Sequence, residues 1–283
     1  MKNFSQFTYR HIGSDSKDQD LMLKEIGCKS LIDLLKSTLP NNILQKDSLD
    51  IPVLDTEIEM LDEMSALSRT NKNFKSYIGM GYYNNITPSV IHRNMIQDPG
   101  WYTAYTPYQP EVSQGTLQAA YEFQTIVAQI LDMDVANAGM YDGASSVAEG
   151  ALMACRIKRR YKVAYLDTIS PDYIDVLKTY TLPQGIEVYP VTADSMNLKT
   201  ETACVVVQSP NFYGYMEPLE NLIETAHSSD VLAVVATDPF ASVLFRPPGS
   251  YGADIVTAEG QPLGVPVSFG GPYVGLFTCK GEY

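Results

Sequence analysis

The chain has 283 residues, 45% of them hydrophobic and 19% charged, which is enough for a sizeable core in one large or two ordinary domains. Twenty Lys and Arg stand against thirty-three Asp and Glu, a net charge of −13, which argues against a nucleic-acid footprint or an anionic-membrane binder. Cys28, Cys155, Cys204 and Cys279 are scattered with no CxxC pair, so neither a disulfide scaffold nor a zinc site is expected. Met1–Arg10 lacks the apolar stretch of a signal peptide and no apolar run approaches a membrane span, which predicts a soluble cytoplasmic protein.

The first part of the chain reads as helical. Asp18 to Ile26 carries a short apolar face that Gly27 can terminate, and Ser30-Leu-Ile-Asp33 resembles a capping box opening a second helix that ends before Pro40. Asn41 to Pro52 is a polar connector. A third helix follows from Thr56, with Ile58, Leu61, Met64 and Leu67 on one stripe. Each helix offers a single apolar face, so residues 1–75 are expected to form an arm and 76–283 an α/β domain. Thr87-Pro88 reads as a cap and first helical residue for a helix through Ile96.

The segment from Pro99 to Gly115 packs Trp101, Tyr102, Tyr105 and Tyr108 around three prolines, with no Lys or Arg between Ile96 and Cys155. Prolines fix φ and remove donors, so this loop can hold a shape without ladder hydrogen bonds. It reads either as a loop that presents side chains or as one that caps a core. Thr116 to Leu131 is an amphipathic helix expected to turn Leu117, Tyr121 and Val127 inward. Strands and helices then alternate: strands at Val163–Leu166, Ile186–Val191, Thr202–Gln208 and Val231–Thr237, helices at Pro171–Tyr180 and Pro218–Ser228. Short β-branched runs between helices predict a mainly parallel sheet covered on both faces.

Gly143-Ala-Ser-Ser-Val-Ala-Glu-Gly150 is a glycine-led turn into a helix running on to Arg160. Free N–H groups and small hydroxyls at a helix N-terminus make an anion cradle, with Gly143, Ser145 and Ser146 as its members. A capped helix with Ser145 satisfying its own backbone would read the same way. His11, His92 and His227 do not cluster with carboxylates in sequence, so neither a metal nor a base role is assigned to them.

Four stretches, Ser76–Gly81, Pro99–Gly115, Ala136–Gly143 and Gly260–Pro266 with Phe269–Pro272, resemble the P-protein (glycine decarboxylase) family of the glycine cleavage system. The likeness is closer to the α subunit (subunit 1) of its two-subunit form, although Arg10-His-Ile-Gly13 looks more like the opening of the single-chain form. It runs from about Tyr9 to the end. The resemblance implies a large α/β domain of the PLP-dependent transferase type (fold type I, aspartate-aminotransferase-like). Asp238, at the end of a strand, would there pair with the pyridine nitrogen of pyridoxal 5′-phosphate (PLP). By placement Gln261 takes the position of the Schiff-base lysine, and Lys199 and Lys280 bracket an interval with no lysine at all. An amide nitrogen is no nucleophile for an aldehyde.

Gly143, Ser145, Ser146, Asp238 and Gln261 would therefore line a degenerate cofactor pocket, with PLP held by the lysine of a β subunit (subunit 2) in an α2β2 assembly. That assembly decarboxylates glycine and passes the aminomethyl group to the lipoyl group of the H protein. Tyr105, Thr106, Tyr108, Gln109 and Glu111, with Arg93, are the residues expected at the partner's substrate channel, packing being the alternative role for each. The subunits resembled continue through a further C-terminal domain, so the expectation is a chain lacking its small domain. Two other readings stay open: an independent fold-type-I enzyme, with Lys280 or a later lysine, and a non-catalytic stabilising subunit.

Overall fold

A computed structural model describes residues 7–283 apart from Lys46, Ser48, Asp55, Asn73, Ser76, Tyr82, Thr103 and Ala104. Met1–Gln6 and the motif residues Ser76, Thr103 and Ala104 thus lie outside the described residues. Two compact units result, over 1–76 and 77–283.

The first unit holds α1 (Thr8–His11), α2 (Ser16–Ile26), α3 (Leu31–Thr38) and α4 (Glu57–Ser68). Local chemistry sets their ends. Asp15 and Asp18 form a reciprocal capping box at α2, Thr56 and Glu59 another at α4, and Gly27 ends α2 in the left-handed region at φ +80°. At α3 only one half of the box forms, Ser30 Oγ accepting from Asp33 N. Arg10 pairs with Glu57 at 2.8 Å. Leu23 alone is buried among the described residues of this unit, and the stripe Ile58, Leu61, Met64 and Leu67 is exposed.

The second unit begins with α5 (Ser89–Gln97), α6 (Pro99–Tyr102) and α7 (Gln114–Leu131). Pro88 precedes α5 instead of opening it, and Thr87 does not cap: its hydroxyl donates to Gly264 O. The aromatic segment expected as pure loop starts with the helical turn α6. On α7 only Val127 turns inward (2% exposed), while Leu117 and Tyr121 are 39% and 69% exposed, so the inward face was misjudged. Then follow β1 (Val135–Ala136), α8 (Gly143–Lys158), β2 (Lys162–Leu166), α9 (Pro171–Thr181), β3 (Glu187–Val191), β4 (Thr202–Gln208), α10 (Leu219–Ser228), β5 (Leu232–Thr237), α11 (Pro239–Leu244), β6 (Ile255–Glu259) and β7 (Gly275–Cys279).

The strands form one sheet in the order β1-β7-β6-β5-β4-β2-β3. From β3 to β6 every pairing is parallel, and β7 and β1 add an antiparallel edge. Alternate residues of each central strand enter two separate cores. Val205, Val207, Ala233 and Val235 pack with Val127 and Ile223 from α7 and α10; Cys204, Val206, Leu232 and Val234 pack with Val147 and Leu177 from α8 and α9. A strand buried on both faces needs no polar alternation, and this is why β4 and β5 read as continuous apolar runs. At about 25 cal/mol per Å2 each fully buried Val or Leu contributes roughly 1.5–3 kcal/mol, so these two layers hold the carboxyl ends of β2, β4, β5 and β6 at one edge. Gly150 lets α8 lie close on the sheet: a Cβ there would stand 3.2 Å from Val234 Cγ1 and 3.3 Å from Ile255 Cγ2. No helix among the described residues is long and apolar enough to cross a membrane.

Candidate functional site

A cavity of about 350 Å3 opens at the carboxyl edge of the sheet, lined by Tyr83, Ser170, Tyr173, Gln208, Asp238 and Glu259 among others. Asp238 leaves the end of β5 and caps α11, its Oδ1 accepting from Phe240 N (2.7 Å) and Ala241 N (3.1 Å). Gln208, at the end of β4, accepts from Ser170 N at 2.8 Å. Among the described residues no Lys or Arg lines the cavity. Gly81, from the Ser76–Gly81 stretch, lines this cavity, and Tyr77 of that stretch is exposed.

The backbone donors at the start of α8, expected as an anion cradle, are taken by side chains of the chain itself. Asp142, not Ser145, caps α8, its Oδ1 accepting from Ser145 N at 2.7 Å, and Ser146 Oγ donates to Asp142 O. Glu259 comes in from the end of β6. Its Oε2 accepts from Gly143 N (2.8 Å) and its Oε1 from Gln261 N (2.9 Å) and Val274 N (3.4 Å). Burial pushes the Glu259 carboxyl above its usual range, against the three backbone donors, and the neighbouring Asp142 charge adds to the rise. Gly143 permits the approach, because a Cβ there would meet Tyr173 Oη at 2.5 Å and Glu259 Cβ at 3.0 Å.

Gln261 is fully buried just past β6. Its Nε2 donates to Tyr83 O (3.1 Å) and Val265 O (2.6 Å). Asn85 Nδ2 donates to the same Val265 O and to Gln261 O. The amide thus clasps two segments of backbone. Among the described residues its Oε1 finds no donor.

The remaining predicted residues lie elsewhere. Tyr105, Thr106, Tyr108 and Gln109 line a second cavity of about 530 Å3. Tyr105 and Tyr108 meet edge to face with ring centres 6.2 Å apart, and both are largely exposed at 82% and 77%. Glu111 is exposed on the same loop, its backbone oxygen accepting from Gln114 Nε2. Arg93 forms no carboxylate fork; its Nε donates to Gln97 Oε1 one turn along α5.

Two contacts lie at the opposite edge of the sheet. His227, which has no carboxylate cluster around it in sequence, lies 2.7 Å through Nε2 from Asp254 Oδ2, 27 residues along the chain, and Lys280 Nζ donates to Asp254 Oδ1 at 2.5 Å. Lys280 is therefore held at the amino end of β6, away from the cavity. Sequence reading missed Glu259 and Asn85. Glu259 carried a signal, standing at the end of a strand two residues before Gln261. Among the described residues no three or more His, Cys, Asp or Glu come together as metal ligands.

The family described as glycine cleavage system P-protein matches residues 9–283. A probable glycine dehydrogenase (decarboxylating) subunit 1 from Desulfitobacterium hafniense is 44% identical over 94% of this chain and 62% of its own length. A glycine dehydrogenase (decarboxylating) from a Nostoc species is 39% identical over the whole chain and 29% of its own length. The solved glycine decarboxylase (P-protein) of the glycine cleavage system, in inhibitor-bound form, superposes with a TM-score of 0.84 at 37% identity, over 96% of this chain and 63% of that one. A sphingosine-1-phosphate lyase from Burkholderia pseudomallei shares the fold at 13% identity and a TM-score of 0.60, over 84% of this chain and 62% of that one. The chain thus spans under two thirds of the relatives it matches, in a fold-type-I, PLP-dependent-transferase-like architecture, and it belongs to the glycine cleavage system P-protein family.

Proposed function

We propose that this chain is subunit 1 of a two-subunit glycine decarboxylase, completing the active site of a partner that carries the PLP-binding lysine. The observation that carries this reading is the state of its own pocket. The lysine position holds a buried, doubly bonded amide in Gln261, and the cradle holds a carboxylate in Glu259. Lys280, the only lysine after Lys199, is tied to Asp254 at the other edge of the sheet. The residues of this chain do not fit PLP, and no step of the reaction is assigned to its own cavity.

The loop of Tyr105, Thr106, Tyr108 and Gln109 supplies the contribution to the partner's channel. Pro107 and Pro110 hold it in shape, while its phenol, hydroxyl and amide groups orient the glycine carboxylate by hydrogen bonds. Glu111 borders it. Arg93 stands on the exposed face of α5, where its guanidinium remains able to take a carboxylate once Gln97 is released. The partner's PLP acts as electron sink, and the lipoyl group of the H protein accepts the aminomethyl group. In this reading the assembly is an α2β2 heterotetramer in the cytoplasm.

The test is release of labelled CO2 from carboxyl-labelled glycine. The 283-residue chain alone is expected to be inert, and activity is expected when the β subunit and lipoylated H protein are present together with it. Turnover by the chain alone, or full turnover by the partner without it, would refute the proposal.

A further inference from the structure

Three main-chain N–H groups from three separate segments converge on one carboxylate. Gly143 N opens α8, Gln261 N follows β6, and Val274 N precedes β7; all donate to Glu259. A convergence of backbone donors at the start of a 16-residue helix has the form of a phosphate seat, with the helix dipole adding to it. Here a side chain from 116 residues away fills it. The surroundings agree with a carboxylate occupant and not with a second anion. Asp142 lies beside it as the helix cap, Asp238 and Glu259 both line the adjoining cavity, and among the described residues no Lys or Arg lines that cavity to offset another charge. Gly143 leaves just the room for Glu259 and Tyr173 to close over the seat.

We propose that Glu259 is a built-in anion occupying the seat that a phosphate group would take, so that this pocket excludes phosphate esters although its backbone cradle is intact. The exclusion lies in one side chain. It follows that removing the Glu259 carboxylate uncovers three donors and the α8 N-terminus together and turns a closed pocket into a phosphate site. This inference concerns the chain's own cavity and stands apart from the reading of its partner, since the test below uses no partner and no turnover.

The experiment compares wild type, Glu259→Ala and Glu259→Gln for binding of inorganic phosphate and of pyridoxine 5′-phosphate, which has no aldehyde to trap on surface lysines. Binding is read by calorimetry and by the shift of the thermal midpoint against chloride of equal ionic strength. Wild type is expected to show no phosphate-dependent shift. Glu259→Ala is expected to bind at least about tenfold more tightly than wild type, the scale of one charge-assisted hydrogen bond. Glu259→Gln, which keeps the side-chain volume, is expected to gain less and serves as the test variant if the alanine protein folds poorly. Phosphate binding by wild type equal to that of the variants would overturn the proposal, and so would variants that fold but gain no binding.

Discussion

Asp254 is the residue whose removal tests the packing of the sheet's amino edge most directly. Its side chain is 2% exposed and accepts from Ala233 N (2.8 Å), His227 Nε2 (2.7 Å), Lys280 Nζ (2.5 Å) and Tyr283 Oη (3.3 Å). It ties α10 and the residues after β7 to the start of β6. In Asp254→Ala the buried Ala233 N–H loses its partner, about 1–3 kcal/mol. Breaking a buried ion pair costs about 3–5 kcal/mol when the remaining charge stays buried. The side chains of Lys280 and His227 are 29% and 38% exposed, so both regain water and the lower end applies. The expected loss is about 3 kcal/mol, which lowers the thermal midpoint by about 6–12 °C in a chain of this size. Asp254→Asn keeps an acceptor for Ala233 N and is expected to lose about half as much.

The pH dependence of that difference has a definite sign. Burial raises the Asp254 carboxyl, but the bonds from Lys280, Ala233 and His227 outweigh it and hold the group below its usual range. A carboxyl with a depressed folded-state value contributes stability above its unfolded value, near 3.9, and loses it as pH falls through the folded one. The gap between wild type and Asp254→Asn in urea denaturation is therefore expected to be full at neutral pH and to close below about pH 4. An Asp254→Ala midpoint within about 0.5 kcal/mol of wild type, the usual spread for surface changes, would refute this account.

Two further outcomes are expected. Cys28 is half-buried whereas Cys155, Cys204 and Cys279 are buried, and burial pushes the Cys155 thiol up to about 11 and Cys204 well above its ordinary value. A thiol is nucleophilic only as thiolate, so alkylation of the native chain near neutral pH followed by mass spectrometry is expected to label Cys28 first; rapid labelling of Cys155 or Cys204 would contradict the core as described. In the complex with the partner subunit, Tyr105→Ala and Tyr108→Ala are expected to lower turnover about tenfold or more with assembly intact by gel filtration, as loss of positioning contacts does. Unchanged turnover would leave the loop with packing alone.

The central strands were legible because their burial is double-sided: Thr202–Gln208 reads as a strand from its unbroken apolar run, and the structure returns the same bounds. Helix ends were legible where a side chain caps within three residues, as at Thr56 and Glu59. The inward face of α7 was not, since apolar spacing also marks Leu117 and Tyr121 and does not say which residues the sheet reaches. The two-residue β1 pairs with β7 more than 140 residues later, a register no local pattern encodes. At the candidate site the glycine turn and the lysine-free interval between Lys199 and Lys280 are plain in the sequence. The seating of Glu259 on Gly143 and the clasp of Asn85 and Gln261 could not, because each joins residues more than 100 apart in the chain.

Gln261 and Glu259 also bear on what a lysine placed in this pocket would meet. A lysine introduced at 261 by itself would deliver an ammonium to Tyr83 O and Val265 O, the two carbonyls the amide now serves. Held there as a charged donor, it would not be the free amine that an aldehyde requires. The same substitution leaves Glu259 on its backbone donors, while removal of Glu259 alone frees those donors with no amine beside them. An amine beside an open backbone seat would therefore need both positions changed together, since each side chain is held by backbone partners of its own.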